Sequence, residues 1–157
     1  MGLIHPSQIN ILKLKDRMLL DNEKEDGFAT QDMLTTKSMK TINFIFGMTS
    51  DGNVGPTIKF PYEGNIGIID AVCVLPGNTD AIIDIEKISE EDFLGKTNNW
   101  QSILNPDKRI IIQQGEIVSN SDYEIVNKIV NKNDYFRINF IQSGSLKELT
   151  IQITITI

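Results

Sequence analysis

Residues Leu149 to Ile157, LTIQITITI, impose the strongest constraint on the fold. Leu149, Ile151, Ile153, Ile155 and Ile157 alternate with Thr150, Gln152, Thr154 and Thr156. A period of two puts every aliphatic on one face of a pleated strand, whereas a helix would scatter them around its circumference. β-branched side chains dominate the stretch and lose rotamer freedom in a helix, which reinforces the strand. An unpaired flat edge of this composition invites aggregation, so the strand is expected inside a sheet.

The same period recurs upstream. TINFIFGM (residues 41–48) sets Ile42, Phe44, Phe46 and Met48 against Thr41, Asn43, Ile45 and Gly47, and the turn-rich TSDGNVGP stops it. TIKF, closed by Pro61, reads as a short edge strand. NIGIIDAVCVLP is apolar on both faces in its middle, as expected of a strand covered by two layers. AIIDIEKI and RIIIQQG read as further strands, the second ending at Gly115. SEEDFLGKTNNWQSILNPDK is polar and predicts a helical turn or a long loop. SDYEIVNKIVNKND fits neither period cleanly, and the reading leans to a bulged strand or a short helix at a corner. DYFRINFIQSG places Phe136, Ile138 and Phe140 on one face, and SGSLK is expected to join it to the last strand as a hairpin.

Short strands separated by turns, without a helix-strand rhythm, predict a mainly β protein. The expected form is an antiparallel two-sheet sandwich, jelly-roll-like, over residues 40–157, preceded by an N-terminal arm over residues 1–39. At 157 residues the chain suits one such body and an arm. The arm carries Ile9, Ile11, Leu12, Leu14, Met18, Leu19 and Leu20 ahead of the charged run DNEKEDG, and these seven are the candidate anchoring residues. Ile9, Leu12 and Leu19 or Leu20 fit a helical stripe, Ile9, Ile11 and Lys13 fit a strand, and neither period wins. The segment reads either as an arm that docks on its own body or another subunit, or as an extra strand of the same domain.

Composition narrows the function classes. A net charge of −6, from 15 basic and 21 acidic residues, disfavours phosphate backbones, so no nucleic-acid partner is expected. No run approaches the roughly 20 apolar residues of a spanning helix, and no membrane insertion is expected. The first residues lack the pattern of a signal peptide, which points to synthesis in a cytoplasm. One cysteine, Cys73, rules out an internal disulfide and a thiolate metal cluster, and fits a small apolar side chain within its strand.

Candidates for chemistry are few. His5, beside Pro6, is a remote base for a nucleophilic triad. Glu90, Glu91 and Asp92 sit in a polar loop, and Asp84 with Glu86, two apart on a strand, are expected to face water, so neither group is assigned acid-base work. SDGNVG resembles the start of a calcium loop, but Tyr62 stands where the bidentate glutamate belongs, and tight-turn geometry explains the stretch better. No phosphate-cradling glycine motif occurs. No catalytic, metal or cofactor residue is assigned, and no cofactor is expected. Trp100, in NNWQSIL, is the one candidate receptor contact: it is expected to anchor packing, with stacking on a sugar ring as the alternative.

The order of motifs resembles β-sandwich modules of tailed-bacteriophage virion proteins over about Phe60 to Ile157. Pro61, Tyr62 and Gly64 match the opening of a long strand. Ile83, Asp84, Ile85 and Lys87 match the next strand, and Ser102, Ile103 and Gly115 match the middle. Two departures stand out. Asn133-Asp134 replaces a Gly-Asp step, which asparagine can fill because it tolerates a left-handed turn, and ISEEDFLG replaces a shorter Asn-Gly loop. The resemblance implies a non-enzymatic virion protein, a head fibre, capsid decoration or tail-fibre component. It further implies a trimeric assembly, anchored to other virion proteins through the N-terminal segment. A carbohydrate- or receptor-binding module of a tail fibre or baseplate, contacting a host-surface glycan through Trp100 and the loop Ser89 to Lys108, is the alternative.

Overall fold

The computed structural model describes residues 37–52 and 54–157. The candidate anchoring residues Ile9, Ile11, Leu12, Leu14, Met18, Leu19 and Leu20, and also His5, lie outside them. The body runs from Ser38 to Ile157.

Nine strands and one short helix make up the body: β1 (Met39–Met48), β2 (Ile58–Lys59), β3 (Gly64–Leu75), β4 (Ala81–Ile88), α1 (Glu90–Leu94), β5 (Gln101–Ser102), β6 (Ile110–Ile112), β7 (Ile129–Val130), β8 (Tyr135–Gln142) and β9 (Lys147–Thr156). They form two antiparallel sheets. The first has the order β1-β9-β3-β7, and the second has β2-β8-β4 with β5 and β6 pairing opposite ends of β4.

The pairings are nested: β1 with β9, β2 with β8, β3 with β7, and β4 with β6. The body is thus a long antiparallel ribbon doubled back on itself and rolled into a sandwich, the jelly-roll winding. β9 lies between β1 and β3, where both of its edges are hydrogen-bonded.

Leu149, Ile151, Ile153 and Ile155 of β9 are fully buried, and with Ile42, Phe44 and Phe46 of β1 and Ile69, Ala71 and Cys73 of β3 they form the inner face of the first sheet. Ile83 and Ile85 of β4 and Phe136, Ile138 and Phe140 of β8 meet them from the second. The rings of Phe46 and Phe140 pack edge to face across the two sheets at 5.0 Å.

Two expectations fail here. The β8-β9 hairpin does not form: β8 pairs with β2 and β4, β9 with β1 and β3. The connecting turn instead carries the chain between sheets, with positive φ at Gly144 and Ser145. It is fastened to the β1-β2 loop: Thr49 Oγ1 donates to the carbonyls of Ser143 and Leu146, and the Ser143 N–H donates to Asp51 Oδ1 at 2.7 Å.

β3 is also not covered on both sides. Its inward residues are buried, but Ile68, Val72 and Val74 stay exposed on the outer face. The double apolarity reflects an outward apolar stripe, which β-strand alternation cannot distinguish from a second buried face.

The ambiguous stretch from Ser121 to Asp134 holds no helix. Leu104 bridges Ile125, β7 follows, and the Ile69 N–H, freed near the bulge between Ile66 and Ile68, donates to the Tyr123 hydroxyl at 2.8 Å.

Candidate functional site

The polar chemistry of the body gathers around β4. Alternation sends Ile83, Ile85 and Lys87 inward and Asp84 and Glu86 outward, onto the second sheet's outer face.

Asp84 does not face water as the sequence suggested. Its residue is 3% exposed, because β5 and the strip that follows it fold over β4. The Ser102 hydroxyl donates to Asp84 Oδ1 at 2.6 Å, and the Ile85 N–H donates to the same oxygen at 2.9 Å. The Arg109 Nε lies 3.5 Å from Oδ2. Burial raises the carboxyl's pKa, and the Ser102 hydroxyl and the Arg109 charge pull it back only in part.

Glu86 is half-buried and accepts from Arg137 Nε at 2.5 Å and from Asn139 Nδ2 at 3.2 Å. Each carboxylate is therefore occupied by its own donors, an arrangement that fixes strands and loops rather than presenting an acid-base pair to a substrate.

Above this network lies an aromatic cap. Ser89 caps α1 by accepting from the Asp92 N–H, and α1 carries Phe93 over β8, where its ring stacks on Tyr135 at 4.0 Å. Trp100, half-buried, meets Phe93 edge to face at 6.2 Å, and the Arg137 guanidinium lies 4.0 Å from its ring centroid. One candidate receptor contact thus has a face already engaged by an arginine held in place by Glu86.

At the inner end of β4, Lys87 extends towards the first sheet and donates to the Ile129 carbonyl of β7. Its Nζ is 4.0 Å from Asp134 Oδ2, and both side chains are nearly sealed, at 10% and 3% exposure. The Asn131 N–H donates to the same Asp134 oxygen at 2.9 Å. Asn133, at the expected left-handed step, has φ 69° and turns the chain so that Asp134 folds back on Asn131. Burial pushes the Lys87 pKa down and the Asp134 pKa up, and their mutual attraction opposes both shifts. Beside the pair is a cavity of about 110 Å³ walled by Ser89, Asp92, Asn99, Gln101 and Asn131.

Sequence reasoning missed this pair. The signal was present in the period of β4, since Lys87 shares its phase with Ile83 and Ile85 and so had to point into the sandwich.

Among the described residues no group of three His, Cys, Asp and Glu side chains is arranged to hold a metal ion. Asp51 serves the Ser143 turn instead of a calcium loop, and Gly52 has φ 67°. Cys73 is buried within β3, its thiol donating weakly to the Glu116 carbonyl.

The outer face of the first sheet is of a different kind. Register aligns Ile45, Thr150, Val72 and Val118 in one row across it. Ile45 is 74% exposed and Val72 45%, with Ile68 and Val74 alongside on β3. Among known proteins, the chain matches no family model, no curated protein and no solved structure.

Proposed function

We propose that the chain is a non-enzymatic structural protein of a tailed-bacteriophage virion, a head-fibre or capsid-decoration module whose N-terminal segment anchors it to the particle. The exposed aliphatics Ile45, Val72 and Val118, in register about Thr150 on the outer face of the first sheet with Ile68 and Val74 alongside, are the observation that carries this reading. A monomer gains nothing from aliphatics aligned towards water, whereas an assembly buries them between copies. The order of strand and turn motifs supports it, since Gly64, Asp84, Lys87, Ser102 and Asn133 all serve strand pairing, turns or internal ties in the fold. In this reading the protein assembles as a trimer, its partners are other virion proteins, and it is made in the host cytoplasm before joining the particle.

An antibody raised against the chain should label purified tailed particles from the lysate in which it is made. Particles that lack the chain overturn the reading. A second reading, a glycan- or receptor-binding module, draws on the half-exposed Trp100 of the aromatic cap.

A further inference from the structure

A lysine and an aspartate brought together inside a sandwich are more than a charge pair when their surroundings favour the uncharged forms. Two ions withdrawn from water carry a desolvation cost that their attraction seldom recovers in full. Lys87 and Asp134 are held in that situation, one on β4 and the other on the turn between β7 and β8, with little exposure and 4.0 Å between Nζ and Oδ2.

We propose that Lys87 and Asp134 condense into an isopeptide bond that covalently ties β4 to the β7-β8 turn. The reaction joins a neutral amine and a protonated carboxyl, and the directions in which burial shifts both groups favour those forms. The Nζ lone pair attacks Asp134 Cγ, forming the C–N bond and placing negative charge on Oδ2. The Asn131 N–H already donates to Oδ2 at 2.9 Å, so it is positioned to stabilise that oxyanion. The bond from Cγ to Oδ1 then breaks. Oδ1 leaves as water, with one proton from the carboxyl itself and one from Nζ, and a secondary amide remains. No oxidant, reductant or activating group is consumed.

Two features assist. The Ile129 carbonyl accepts from Nζ and holds the amine beside the carboxyl, which gives the reaction the advantage of an intramolecular one. The product exchanges two buried charges for one amide, whose N–H can keep the Ile129 carbonyl satisfied.

Mass spectrometry of the intact, denatured full-length chain tests this directly, both freshly purified and after prolonged incubation of the folded protein. A mass below the sequence value by one water is expected, and proteolysis should yield a branched peptide in which tandem spectra join Lys87 to Asp134. The Lys87→Arg and Asp134→Ala variants should retain the full sequence mass. A wild-type chain at full sequence mass after incubation overturns the proposal, whether or not those variants fold. So does a water loss that maps elsewhere, such as a cyclised Asp51-Gly52 step.

Discussion

The hydroxyl of Ser102 reaches Asp84 Oδ1 at 2.6 Å and joins the two-residue strand β5 to the middle of β4. The same hydroxyl accepts from the Leu104 N–H, so one oxygen shapes the whole turn out of β5. Ser102→Ala leaves a buried carboxylate short of a donor and should destabilise the fold by about 1.5–3 kcal/mol. Denaturant unfolding monitored through Trp100 fluorescence measures it.

Asp84 also sets a pH dependence. Burial raises its folded pKa above the ordinary 3.8, so the folded state holds the proton more tightly than the unfolded chain. The resulting gain in stability is complete below 3.8 and is lost as pH rises through the folded value. Asp84→Asn has no proton to bind there. Its stability relative to the wild type should therefore improve as pH climbs from below 3.8 through the folded value, and be level on either side of that window. Urea midpoints for both proteins across this range test it, and a difference that moves the other way refutes the assignment.

Gly64 opens β3 against the end of β9. A methyl group there would lie 2.5 Å from the Thr156 carbonyl oxygen and 2.8 Å from Ile155 Cγ2. Gly64→Ala must push the strands apart where β3, β7 and β9 meet, and is expected to cost about 1–3 kcal/mol. Thermal unfolding should show a lower Tm, and hydrogen exchange should open first at Ile155 and Thr156.

Val72→Asp combined with Ile45→Asp charges the outer row of the first sheet. Both side chains are already exposed, so the fold should keep its stability within about 0.5 kcal/mol. Light scattering coupled to size exclusion should read a trimer for the wild type and a monomer for the double variant. An unchanged oligomer moves the interface elsewhere, and a monomeric wild type counts against the assembly itself.

Trp100→Ala removes the ring on which Arg137 rests and should cost about 1 kcal/mol through the lost cation-π contact and packing. On a glycan array, the virion-structural reading expects the same signal from variant and wild type. A wild-type signal that vanishes in the variant would transfer the assignment to glycan recognition.

What could be read without coordinates was whatever a single strand decides alone. The alternation of β9 and β1, the bounds of β4 and the turn residues at Gly52, Gly115 and Asn133 are local facts, and each is found where the pattern put it. Pairing is not local. SGSLK looks like a hairpin loop because a loop's composition does not say whether the chain turns within a sheet or steps to the other one. Asp84 looked solvated for the same reason: its cover, Ser102 and Arg109, comes from a stretch whose path depends on β4 having already paired. Lys87 was legible in principle from its phase, but its partner follows a left-handed asparagine more than forty residues on, and only the folded turn brings Asp134 back to it.

The nested pairing has a consequence for how the protein is made. Met39 lies opposite Thr156 and Ile58 opposite Phe136, so β1 and β2 find their neighbours in β9 and β8, which are synthesised long after them. β1, with Phe44 and Phe46 bare, must wait through the synthesis of nearly the whole body, while β4 can already close on β5 and β6. Folding should therefore start at the bend of the ribbon and zip outwards to its two ends, slowly, as contacts distant in sequence require. During that wait, crowded growing chains of the same protein are the nearest alternative partners for β1.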